Sequence, residues 1–387
     1  MNCEGDDPSP NLSPIRGEGH SYMVVRETRA AITYRPYYPT TQVVNYELCI
    51  MNYELKRTPW LDYVRLFSIF LVILYHTPPR TPLLDEAVIL NLRVPVFFCI
   101  SGYLFNDSRW TSFWRYAWHR GKQIVVPYVL FFAVFYGLWL WFGRDLLGGE
   151  DARVPVTRPL VEMVMGNPRT IVAPFWYIAC LMTMQLLYWP IARWLPRRWA
   201  LVASLLLALS TYWLKWTWPW VEFWNLGNAL LYMPFYALGH SLRPTLQRLE
   251  FGGPAHTVLL LALAAVSMVA MTCVVDIRPH DPGLYSLLRV VCGLLVIPAY
   301  LCLGKWVARQ CGRHRFVELV VLGGTIYLGL QNYAIGIIRI GIDHLAGPHW
   351  LDTHGWLRLV IALAVMAAIY PVAVFIQRRA PWVIGRS

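Results

Sequence analysis

From Leu61 to Tyr75 the sequence runs LDYVRLFSIFLVILY, apolar except for Asp62, Arg65 and Ser68, and it closes in His76-Thr77-Pro78-Pro79. Paired prolines cannot continue a helix, so the stretch predicts one membrane helix that stops at His76. Arg65 and His76 are eleven positions apart. At about 100° per residue they return to nearly the same face, with roughly 16 Å of rise between them. That is about half the hydrocarbon thickness of a bilayer. Asp62 lies on the same stripe, one turn before Arg65. A guanidinium inside a span is costly unless it faces a cavity or a partner. Two readings of Arg65 therefore stand: it is functional, or it is neutralised by Asp62.

The rest of the chain agrees with a membrane setting. Hydrophobic residues make up 57% of the sequence and charged residues only 14%, far from the balance of a soluble domain. The net charge of +12 raises the question of nucleic acid, but the bases sit in short clusters between apolar runs, as topology determinants do. No nucleic-acid partner is expected. Cys99, Cys180, Cys273, Cys292 and Cys302 fall within apolar runs and no C-x-x-C pair occurs, so they read as packing residues. Asp343, His344, His349, Asp352 and His354 share one segment at spacings that match no common zinc pattern, and no metal is expected.

Further on, Val94-Pro95-Val96-Phe97-Phe98-Cys99-Ile100-Ser101-Gly102-Tyr103-Leu104 follows the first helix. Joined to Leu61-Asp62-x-x-Arg65 and His76, this run resembles the opening of the acyltransferase family 3 membrane proteins, which O-acylate sugars, lipids and polymers at the cell surface. Weaker echoes are Arg120-x-Lys122 before Pro127-Tyr128, Trp176-Tyr177 opening a helix, and Pro234-Phe235-x-x-Leu238-Gly239. The likeness spans roughly Thr58 to Gln377. It departs where relatives often end a Ser-x-x-x-Tyr-x-x-His run, since this chain has Thr325, Ile326 and Tyr327 leading to Asn332. Asparagine keeps hydrogen bonding there but cannot shuttle a proton.

Residues 1–55 are polar and irregular, with Pro8, Pro10, Pro14, Pro36 and Pro39, and read as a disordered tail. Met51 begins a stretch, MNYELKRTPWLDYVR, that resembles an ordinary start for such a protein. Residues 56–387 are expected to form one all-α, polytopic bundle. Ten spans are expected near 61–77, 88–105, 124–142, 172–192, 199–215, 226–242, 255–275, 285–304, 318–340 and 356–376. Alternate loops carry the basic residues, so the positive-inside rule puts both termini in the cytoplasm, His76 at the outer surface and Arg65 deeper. The group Trp216 to Trp224 suits an interfacial belt or a carbohydrate platform.

Acyl transfer to a hydroxyl needs a base for the hydroxyl proton and a donor or cation for the developing oxyanion. Histidine suits the first task, with a reference pKa of about 6.5. A fixed arginine suits the second, or the holding of an anionic donor. By position alone His76 is an interfacial residue ending a helix; the resemblance implies that it is catalytic, that Arg65 is essential and that acetyl-CoA is the usual donor. Arg120 and Lys122 are placed to meet the CoA phosphates, or are ordinary inside-positive residues. Arg93 begins the second span close in depth to His76 and, with Trp176, is a candidate for substrate contact. The expected protein is a multi-pass O-acetyltransferase of the cytoplasmic (inner) membrane. It would move an acetyl group from cytosolic acetyl-CoA to an exopolysaccharide, an O-antigen or a lipid-linked glycan. A polysaccharide exporter or flippase on the same helices is the alternative.

Overall fold

A computed structural model of the chain describes residues 15–17, 20–22 and 58–379, the last range without 80, 82–83, 107–109, 145–153, 218 and 348–349. The chain divides into two units, residues 1–58 and 59–387. In the first, β1 (Ile15–Gly17) pairs antiparallel with β2 (His20–Tyr22), Ile15 opposite Tyr22. This hairpin was not foreseen in a stretch read as irregular. The remainder of the expected tail lies outside the described residues.

Among the described residues the second unit is all-helical. Its long helices are α1 (Pro59–His76), α2 (Leu90–Tyr103), α3 (Phe113–Leu138), α4 (Trp176–Trp194), α5 (Arg197–Thr217), α6 (Leu226–Ser241), α7 (Pro254–Val275), α8 (Pro282–Cys311), α9 (Arg315–Leu322), α10 (Gly324–Ala346) and α11 (Leu357–Arg379). Nine of the ten stretches expected to span carry one of these helices each, and the ninth, 318–340, carries parts of both α9 and α10. Among the described residues five segments are, by length and composition, apolar enough to cross a membrane: Phe113–Trp141, Arg169–Trp194, Pro254–Val275, Pro282–Cys311 and Leu357–Arg379. The pair α9 and α10, bent by 77°, makes a sixth if counted as one span.

Two boundaries differ from expectation for physical reasons. Helix α3 begins at Phe113, well before the apolar window, because Trp114 to Gln123 continues the helix as a polar extension. Arg115, Arg120 and Lys122 therefore stand on a helix and not in the loop before it. The single ninth span is broken at Gly323, where paired glycines interrupt the helix and α10 restarts at Gly324. Prolines inside α2, α3, α4, α6, α8 and α11 are tolerated because neighbouring helices re-satisfy the freed backbone groups.

Helix α1 belongs to both apolar cores. Leu61 and Val64 pack with residues of α2, α4, α6, α7 and α8, whereas Ile69, Ile73 and Leu74 pack with residues of α3, α10 and α11. Its buried Ser68 donates to the Leu92 carbonyl at 3.5 Å and meets the Tyr300 hydroxyl at 3.4 Å, tying α1 to α2 and α8. Beside it α2 and α6 touch backbone to backbone. A Cβ on Gly102 would stand 1.9 Å from the Tyr236 carbonyl oxygen, and one on Gly239 1.9 Å from that of Cys99. Small residues at a membrane helix crossing permit this approach, which accounts for the glycines in both the Ser101-Gly102-Tyr103 and Leu238-Gly239 runs.

Candidate active site

The C-terminal end of α1, which presents His76, is held by contacts from two sides. The Thr77 hydroxyl and its amide both donate to the Ile73 carbonyl, at 2.9 and 3.0 Å. Arg358, at the start of α11, donates to the Leu74 carbonyl from Nε at 2.9 Å and from Nη2 at 2.8 Å. Carbonyls in a last helical turn lack intrahelical partners, so these bonds finish the helix and fix its end. Arg358 itself is buried and paired with buried Asp85, and its Nη1 donates to Thr81 Oγ1 at 3.0 Å. Asp85 is thus the partner of Arg358.

At the other end of the stripe, Asp62 and Arg65 form an ion pair with Nη1 to Oδ1 at 3.8 Å. Asp62 is buried while the Arg65 side chain keeps 28% of its surface exposed. That exposure opens into a cavity of about 250 Å³, whose polar lining comes from Arg65, Ser101, Tyr177 and Thr325. Ile69, Phe97, Ile100 and Leu328 supply the apolar wall, and Val321, Leu322 and Gly324 at the break between α9 and α10 close one side. The break places Thr325, at the point where the sequence departs from the family pattern, in the same cavity as Arg65.

His76 lines a second, smaller cavity of about 20 Å³ together with Val72, Arg93, Val94, Pro174 and Trp176. The Arg93 guanidinium lies over the Tyr75 ring, 3.6 Å from its centroid, and that ring meets the His76 ring edge-on at 5.3 Å. The structure therefore brings His76, Arg93 and Trp176 to one cavity. Phe97, Tyr177 and Leu328 line both cavities and are a wall common to the two. Phe97 and Tyr177 pack at 5.8 Å between centroids, Phe98 backs Tyr177 at 4.9 Å, and the Tyr177 hydroxyl interacts with Ser101.

Arg120 and Lys122 line neither cavity. Arg120 donates to Gln123 Oε1 at 3.1 Å and lies over Tyr116 at 5.6 Å; exposed Lys122 lies 4.9 Å from the Trp118 ring centroid. A third cavity of about 400 Å³, between α1, α2, α7 and α8, is lined by Phe67, Phe70, Leu92, Met268 and other apolar residues. Arg65 does not line it, and among the described residues its one polar side chain is Tyr300. Sequence reading missed Arg358, whose signal was an arginine beside the last apolar run, and Tyr177 as the shared wall, which only the fold could reveal.

The family model described as an acyltransferase domain matches residues 58–378 of the chain. No curated protein and no solved structure gives a significant match.

Proposed function

This chain belongs to acyltransferase family 3 and is a multi-pass membrane acyltransferase; from that premise we propose that it transfers an acetyl group from cytosolic acetyl-CoA to a saccharide hydroxyl at the outer face of the cytoplasmic membrane. In this reading ten helices cross the bilayer with both termini inside. The observation that carries it is the pair of cavities: Arg65 and His76, on one helix, open into separate chambers that share Phe97, Tyr177 and Leu328 as a wall.

The Arg65 chamber receives the thioester arm of the donor, whose acyl end passes between Phe97, Tyr177 and Leu328 to reach His76. At about 250 Å³ the chamber falls below the usual range for a pocket that holds a whole drug-sized ligand, so the nucleotide stays outside. Arg120 and Lys122, on the α3 extension, are the bases assigned to its phosphates. His76 takes the proton of the acceptor hydroxyl as the oxygen bonds to the thioester carbonyl carbon. The carbonyl electrons move onto oxygen, where the Arg93 guanidinium, which shares the His76 cavity, stabilises the charge, while Arg65 holds the donor. Collapse breaks the C–S bond, and the departing thiolate takes the proton from His76. The ester and the free CoA thiol are the products. The apolar Phe97, Tyr177 and Leu328 keep bulk water from the thioester until the acceptor is seated.

The test is turnover of radiolabelled acetyl-CoA by the purified protein, paired with mass analysis of surface glycans from cells with and without the gene. Label in the glycan, and glycans lighter by the mass of an acetyl group after deletion, support the reading. Unchanged glycans with export lost would favour the transporter alternative.

A further inference from the structure

The cavity of about 400 Å³ between α1, α2, α7 and α8 is unused by the proposed reaction. Its deep wall is buried and includes Leu92, Ala264, Val296 and Ala299. Its rim is not: Leu261 on α7 and Leu303 on α8 also line it and are 53% and 40% exposed. Both belong to helices apolar enough to cross a membrane, and on α7 Val258, Leu259, Val266 and Val269 are exposed as well. A cavity whose exposed rim is made of leucines on two such helices opens sideways onto lipid.

Water does not suit this space. A buried water needs about two to four polar partners, and the one polar side chain among the described lining residues, Tyr300, already meets Ser68 at 3.4 Å. Emptiness does not suit it either, because atoms lining a void lose their dispersion partners at a cost that grows with its volume. A dry apolar cavity of ~150 Å³ already takes up benzene, and this one is more than twice as large. Hydrocarbon is the filling that remains. Its lining runs from Leu261 to Met268 on α7 and from Val296 to Leu303 on α8, about 10 Å of rise on each. A helix, about 10–12 Å across, would use up the volume in roughly one turn, so a slender chain fits where a partner helix does not.

The entrance selects the source of that chain. Leu303 stands two residues before Lys305, whose ammonium donates to the Leu249 carbonyl at 2.7 Å and lies 5.1 Å from the Trp60 ring centroid. The mouth is therefore near the Trp60 end of α1, whereas His76 is at the other end. A lipid-linked acceptor that offers its hydroxyl to His76 enters from the opposite leaflet. We propose that this cavity is a binding site for one fatty-acyl chain of a bilayer phospholipid, drawn from the leaflet at the Trp60 end. Inside, the chain packs on Leu71 and Leu92, the immediate neighbours of Val72 and Arg93 in the His76 cavity, and so backs the two helices that build that cavity. Such a site needs only the membrane setting and is independent of the acyl donor and acceptor.

The test places the full chain in phosphatidylcholine nanodiscs with phosphatidylethanolamine that carries a photoreactive diazirine near the end of one acyl chain. Cross-links are mapped by peptide mass spectrometry. Wild type should be labelled in the buried wall, at Leu92 and Val296, as well as on the exposed face of α7 at Val258 and Val269. Leu261→Trp at the rim and Ala264→Phe in the wall should each cut wall labelling at least tenfold and leave the α7 face labelled. Leu261 is exposed, so its variant reports on the site even where Ala264→Phe folds poorly. Labelling confined to the exposed face in wild type, or wall labelling that Leu261→Trp leaves unchanged, overturns the proposal. If excess unlabelled polyprenyl phosphate removes the wall label where equal unlabelled phosphatidylethanolamine does not, the site belongs to a lipid-linked acceptor, which also overturns it. Wall labelling that appears only when a dimeric form is diluted gives the cavity to a second copy and overturns it too.

Discussion

Arg358 reaches across 284 positions to donate two hydrogen bonds to the Leu74 carbonyl, so the last helix of the chain holds the turn of α1 that presents His76. The same guanidinium pairs with buried Asp85. Removing one partner of a buried pair leaves an uncompensated charge, at a cost of about 3–5 kcal/mol. Arg358→Ala should therefore lower the unfolding temperature sharply. Asp85→Asn combined with Arg358→Met should recover much of that stability in thermal melts, yet stay poor in transfer because the end of α1 is no longer held. Full activity in the double variant would show that the end of α1 needs no such support.

The contact of Gly102 and Gly239 with the facing backbone predicts intolerance to a single methyl. Overpacking in a tight core costs about 1–3 kcal/mol, and a carbonyl oxygen 1.9 Å from the new Cβ cannot rotate aside. Gly239→Ala should reach or exceed the top of that range in thermal melts. A variant as stable as wild type would mean that α2 and α6 separate freely.

Much of the architecture was legible because membrane helices announce themselves by apolar length, and the candidate residues of α1, Asp62, Arg65 and His76, lie on one such helix. The meeting of His76 with Arg93 and Trp176 was anticipated in part, because all three sit at helix ends on one side of the expected bundle. The shared wall was not legible. Phe97, Tyr177 and Leu328 come from three helices and look like any apolar or aromatic span residue until the fold brings them together. The break at Gly323 was hidden for a similar reason, since a glycine pair inside an apolar run costs a hydropathy reading almost nothing.

That wall predicts one-sided access. In a chain whose eight cysteines are replaced, Thr325→Cys places a thiol in the Arg65 chamber. A charged, impermeant thiol reagent should label it from the cytoplasmic side only. Adding Phe97→Ala and Leu328→Ala should allow labelling from both sides and raise the rate at which acetyl-CoA is lost to water. Labelling from both sides before those changes would mean that the partition does not seal.

Outside the spans, Asp281 gives a pH dependence. The Leu284 amide, helped by the Tyr212 hydroxyl, holds its carboxyl below the usual carboxylate range. A carboxylate with a lowered folded pKa stabilises fully above its unfolded value, about 3.9, and that contribution fades as pH falls through the folded value. Asp281→Ala should thus lower the unfolding temperature at pH 7, and the gap from wild type should close as acidification passes the lowered folded value. A gap that persists unchanged in acid would assign the effect to packing alone.

The account stands most directly on acyl transfer from radiolabelled acetyl-CoA by purified wild type, His76→Ala and the pair Arg65→Ala and Asp62→Asn with Arg65→Ala. Loss of a general base costs roughly 10²- to 10⁴-fold in rate, so His76→Ala should lose transfer by that factor while still binding acetyl-CoA. The Asp62→Asn, Arg65→Ala double variant, freed of the buried carboxylate whose ion pair with Arg65 is lost, should be well expressed and still inactive. A fully active His76→Ala would contradict the assignment of the base, and an active double variant would reduce Arg65 to the neutraliser of Asp62.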